Sequence, residues 1–102
     1  MADLRNGVVP LNGSNFPTWK IQCRMALLKQ GVWRIVEGTE VAPDEEDEAS
    51  FRKYNDRKDR ALSTIVLAVE TSLLYLLGDP QDPQEVWEEY VTNYKGKPWQ
   101  TS

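Results

Sequence analysis

The residues that could do chemistry in this chain are few. Cys23 is its one cysteine, and there is no histidine. A thiol with no imidazole available as base is poorly placed for nucleophilic catalysis, and no zinc site can be built from Cys and His clusters. Cys23 therefore reads as a small core residue. The Ser, Lys and Asp residues show no hydrolase or phosphate-loop spacing. A run of acids, Asp44-Glu45-Glu46-Asp47-Glu48, has the charge for a cation but not the alternation, central glycine and distal glutamate of a calcium loop. It reads as a solvated loop and a helix start. No enzyme activity, cofactor, metal or small-molecule substrate is expected.

The bases offer a different chemistry. Arg52 to Arg60 contains five bases and two acids, and helical spacing brings Lys53, Arg57 and Arg60 together. With Arg52 they could face phosphates as an RNA-contacting surface. Asp56 and Asp59 lie among them, and intrahelical ion pairs explain the same pattern. The net charge of −4 argues against nucleic-acid binding as the main task, so RNA contact is expected to be weak at most. Trp99 stands in a short C-terminal tail, where an exposed aromatic can mark a partner site.

The elements that must position these residues read as helices. Asn12-Gly13 is a turn, Asn15 a candidate N-cap, and Pro17 suits a first helical turn. Phe16, Trp19, Cys23, Ala26 and Leu27 then recur at spacings of three and four as a buried stripe. Ile21, Met25 and Leu28 read as broadening it, with Lys20, Arg24 and Lys29 outside. Gly31 is placed to end the helix in the left-handed conformation. Val32 to Val36 reads as a further helical turn, with Trp33 packed on the first helix. After an acidic loop, with Asp44 as candidate cap, a long helix is expected over about Glu46 to Glu70. Its inner stripe is Phe51, Tyr54, Lys58, Ala61, Leu62, Ile65, Val66 and Val69. A short helix, Leu73 to Leu77, should close at Gly78. Asp82, Pro83 and Glu85 make a capping-box-like start for a last helix carrying Val86, Trp87, Tyr90, Val91 and Tyr94 on one stripe.

The expected fold is thus all-α, a small bundle of about four to five helices. Residues 1–10 read as a flexible N-terminal arm, although Val8, Val9 and Leu11 could pack back as an extended segment. Residues 11–94 form the helical domain and 95–102 a tail. Trp19, Trp33 and Trp87 are the expected core anchors. No apolar run approaches the ~20 residues of a membrane span, the N-terminus lacks a signal-peptide h-region, and a lone cysteine suits a reducing compartment, so a cytoplasmic protein is expected.

Leu11-Asn12-Gly13-Ser14-Asn15-Phe16-Pro17-Thr18-Trp19-Lys20 resembles the N-terminal motif of Gag polyproteins from copia-type LTR retrotransposons. That motif reads Leu-x-Gly-x-Asn-aromatic, two residues, then Trp, which places Leu11, Gly13, Asn15, Phe16 and Trp19 in it. Met25, Val32-Trp33 and Gly38 follow in the family's order. Lys58, Ala61, Leu62, Ile65 and Leu67 resemble its middle helix, and Asp82 to Tyr94, with Val86-Trp87-Glu88, a later one. The resemblance implies a capsid-like structural domain that associates with copies of itself and packages RNA. In the family a downstream zinc knuckle helps with RNA, and this chain has none. The chain then reads as a truncated remnant, an excerpt of a polyprotein, or a host-derived gene. A nucleic-acid-binding module and a host-adapted protein-interaction domain are the alternatives.

Overall fold

The structure, a computed structural model, describes residues 7–94. Trp99 and the tail lie outside them. Four α-helices and one 3₁₀ segment follow one another: α1 (Phe16–Lys29), α2 (Trp33–Glu37), α3 (Glu48–Leu67), the 3₁₀ segment (Thr71–Leu77) and α4 (Pro83–Tyr94). The all-α expectation holds.

The turn before α1 is built by side chains that hold its backbone. Gly13 takes φ +91°, a left-handed conformation that a Cβ would strain. The Asn12 carboxamide oxygen accepts the Ser14 N–H and the Ser14 hydroxyl, each at 2.9 Å. Asn15 occupies the N-cap position, but its side chain does not cap α1. It turns back instead: its Oδ1 accepts the Asn12 N–H at 3.0 Å and its Nδ2 donates to the Pro10 carbonyl at 3.1 Å. The residue types that favour a cap also favour such local loop bonds, and here the loop wins. The Asn15 carbonyl still accepts the first helical bond, from Trp19 N–H at 2.8 Å.

α1 ends where glycine allows it. Gly31, at φ +74°, donates to the Leu28 carbonyl, and the next N–H, of Val32, donates to Leu27, both at 3.0 Å. This is a Schellman closure, and its accompanying apolar contact is supplied by Leu27 and Val32, both fully buried.

The last residues of the expected arm are packed rather than free. Val8 and Pro10 are buried, and Val9 N–H reaches the Gln22 side chain. Leu11 is bridged in parallel to Val69: Leu11 N–H donates to Ala68 O at 2.9 Å, and Glu70 N–H returns to Leu11 O at 3.0 Å. This pairing accounts for α3 stopping at Leu67 instead of running to Glu70: the Ala68 carbonyl and the Glu70 N–H are spent on Leu11 of the N-terminal segment. At its other end α3 begins at Glu48, capped by Asp47, whose carboxylate accepts Ser50 N–H. Asp44, the expected cap, instead holds a turn ahead of it through Glu46 N–H.

α4 begins as its sequence suggests, with Pro83 first and the Asp82 carboxylate accepting Gln84 N–H at 3.0 Å. The helix packs on α2 and α3, and α1 packs on the same pair. The core between them comprises Leu11, Trp19, Cys23, Leu27, Val36, Ala61, Ile65, Val69, Trp87 and Tyr90, among others. On α3 only Ala61, Thr64 and Ile65 are buried; Phe51, Tyr54, Lys58, Leu62 and Val66 of the expected stripe are partly covered. Thr64, absent from that stripe, donates its hydroxyl to the Gln30 side chain at 3.1 Å.

Candidate functional site

Three features could carry function: the aromatic centre, the basic stretch of α3, and the surfaces that helices leave open.

The aromatic centre joins the motif residues. Trp19 stacks on Trp87 at 5.5 Å and meets Tyr90 edge-on at 5.7 Å. Trp33, partly buried, stands edge-on to Trp87 at 5.2 Å. Phe16 stacks on Tyr94 at 5.3 Å and lies 6.0 Å from Trp19. Such pairs add ~0.5–1.5 kcal/mol each beyond area burial. Trp19 is completely buried, and its indole N–H donates to Ala68 O at 2.8 Å, the same carbonyl that accepts Leu11 N–H. The three tryptophans are therefore packing residues, and Leu11, Gly13, Asn15, Phe16 and Trp19 build a joint between the N-terminal segment, α1 and the end of α3.

Two ionisable groups in this centre are silent at neutral pH. Burial pushes the Cys23 thiol up to about 12, so it stays protonated. Burial likewise raises the Tyr90 phenol, whose Oη has no hydrogen-bond partner among the described residues. A buried unpaired hydroxyl costs roughly 1–3 kcal/mol. Tyr90→Phe keeps the ring contacts and removes the orphan, so thermal melts should show stabilisation of about 1 kcal/mol, by that principle.

The basic stretch is divided by the structure. Arg57 is clamped: its two terminal nitrogens bind both Glu40 carboxylate oxygens, at 2.6 and 2.9 Å, and the second also donates to Gly31 O. It ties the acidic loop and the end of α1 to α3. Arg52, Lys53 and Arg60 remain exposed, and among the described residues no ion pair joins them to Asp56 or Asp59. The expected four-residue basic face is thus three exposed residues and one structural arginine.

The clamp has a pH signature. The hydrogen bond and charge of Arg57 hold the Glu40 carboxyl below its ordinary value. A carboxyl lowered on folding stabilises above its unfolded value, and that contribution is lost as pH falls through the folded one. The side chains are 35% (Arg57) and 26% (Glu40) exposed, so water limits the gain to at most about 1 kcal/mol. Glu40→Gln should cost about that much in denaturant melts at neutral pH and nothing in acid, where both proteins carry a neutral side chain.

The open surfaces correct the reading of α1. Ile21, Met25 and Leu28 do not broaden its buried stripe; they lie on the opposite side, 57%, 46% and 47% exposed. At 100° per residue, positions 21, 25 and 28 fall together, roughly half a turn away from the centre of the Phe16, Trp19, Cys23, Ala26, Leu27 face. α1 is apolar on two sides. Lys20, Arg24 and Lys29, also exposed, surround the outer stripe, and α1 has no acid.

A second open surface lies at the far end of the chain. The 3₁₀ segment, its following loop and α4 form a groove of about 440 Å³, lined by Tyr75, Leu77, Asp79, Asp82, Glu85 and Glu89 among others. Tyr75 is 77% exposed there. Among the described residues no group of three or more Cys, Asp or Glu could hold a metal ion, and no helix is long and apolar enough to cross a membrane.

The fold and these surfaces define a small all-α bundle with a two-sided first helix. No family model, curated protein or solved structure matches the chain.

Proposed function

We propose that this chain is a non-enzymatic structural module that associates with copies of itself, a capsid-like component akin to the N-terminal part of a copia-type Gag. The observation that carries this reading is the outer stripe of α1. Three large apolar residues at helical spacing, each about half exposed, form a continuous strip on a helix whose other side already fills the core. Scattered exposed apolar residues need no explanation, but an aligned strip marks a contact surface. The order of the motif blocks supports the family reading, and the buried, protonated Cys23 fits a domain without catalytic work.

RNA contact is a lesser part of this reading. Arg52, Lys53 and Arg60 are available to it, whereas recruiting Arg57 would require breaking its bonds to Glu40 and Gly31.

Light scattering of the purified chain over a wide concentration range tests the proposal. The weight-average mass should rise above the 11.7 kDa of one chain as concentration increases. A mass fixed at one chain up to millimolar concentration would overturn it.

A further inference from the structure

The two open surfaces match each other. The stripe of α1 is apolar and ringed by Lys20, Arg24 and Lys29. The groove at the start of α4 is floored by Leu77 and Val86, flanked by exposed Tyr75, and ringed by Asp79, Asp82, Glu85 and Glu89. One has bases and no acid; the other has acids and no base.

We infer that copies of this chain associate head to tail, the α1 stripe of one copy seating in the acidic groove between the 3₁₀ segment and α4 of the next. The inference rests on the self-association reading and names its two contacting surfaces. Charge decides between the alternatives. Pairing two α1 stripes about a two-fold axis would gather Lys20, Arg24 and Lys29 of both copies into one interface, and juxtaposed like charges are strongly disfavoured. Seating α1 on the groove puts each base within reach of a carboxylate while Ile21, Met25 and Leu28 meet Tyr75 and Leu77. The two surfaces share no residue, so each copy can use both at once. Such a heterologous contact propagates into rings or open chains rather than stopping at a dimer.

Complementation tests it. One variant carries Lys20→Glu and Arg24→Glu; the other carries Glu85→Lys and Glu89→Lys. All four residues are exposed, and circular dichroism with thermal melts establishes that both variants are folded. Each alone should dissociate at least tenfold more readily than the unaltered chain. Mixed one to one, the two should recover association, because the intact groove of the first takes the intact stripe of the second and the reversed charges match at the other contact. If the groove variant associates as well as the unaltered chain, the stripe pairs with itself; head-to-tail docking is then wrong and self-association stands. If neither variant differs, both surfaces are wrong. An unaltered chain that never associates removes the underlying reading as well. A salt titration of the unaltered chain needs no variant: association should weaken several-fold between about 0.05 and 0.5 M NaCl, because screening acts on the matched charges. Association that is unchanged or strengthened by salt would overturn the charge-matched docking.

Discussion

Trp19→Ala should lower the unfolding free energy by about 3–5 kcal/mol, the range for truncating a fully buried aromatic. A domain of this size has roughly 5–15 kcal/mol to lose. The upper end of the range applies because Trp19 does more than fill space. It contacts Phe16 of its own helix and both Trp87 and Tyr90 of α4, and its indole N–H is satisfied by Ala68 at the end of α3. Truncation opens a cavity at the point where three segments meet, and rigid helices cannot all move in to close it. The Ala68 carbonyl keeps its bond from Leu11, so the loss is one of packing more than of an abandoned acceptor. Trp19→Phe separates the two contributions: it retains most of the ring stacking and should cost about 1–2 kcal/mol, the lost hydrogen bond and some volume. Thermal melts would register Trp19→Ala as a fall of about 15–30 °C at this chain length. A melting temperature within a few degrees of the unaltered chain would show that Trp19 is not the anchor.

Periodicity made the helices legible, and local chemistry made several ends legible. Gly31, Pro83 and Asp82 act where their residue types say they should, because a left-handed closure, a fixed φ and a carboxylate near a free N–H are local matters. What failed to be legible depended on distant partners. Val69 is apolar and in phase with the α3 stripe, so nothing local says that it leaves the helix; the bond partner that draws its segment out is Leu11, far away in sequence. Arg57 is indistinguishable in spacing from Lys53 and Arg60, and only the return of the acidic loop puts Glu40 against it. The α1 stripe shows the limit in its plainest form. Ile21, Met25 and Leu28 are apolar, and counting apolar residues assigns them to the core. Their angular position, opposite Trp19 and Cys23, was available in the sequence and carries the better signal: a helix cannot bury opposite faces in a layer only one helix deep.

Leu11→Ala should cost about 2–4 kcal/mol, and its consequence should be focused where Trp19→Ala is diffuse. Leu11 is fully buried although it precedes every helix, and its backbone N–H and C=O are both spent on residues 68 and 70. The side chain holds the N-terminal segment down, and the segment in turn is bridged to Val69 and bonds the Ala68 carbonyl that also takes the indole N–H of Trp19. Losing the side chain weakens that hold without removing the backbone groups that make the bridge. Local opening should therefore become easier before global unfolding does. In hydrogen exchange the amides of Leu11 and Glu70, which form the bridge, should lose protection, while the α3 amides around Ala61 to Ile65 change only with global stability. Asn12→Ala is the matched control: its side chain is exposed and among the described residues bonds only Ser14, so it should stay within about 0.5–1 kcal/mol of the unaltered chain, as replacements of exposed residues do. Equal small effects from Leu11→Ala and Asn12→Ala would mean that the segment before α1 is a detachable lead. A large effect confined to Leu11 would make it part of the domain, with the leucine of the motif acting as the clasp that holds this segment to the end of α3, at the carbonyl Trp19 also uses.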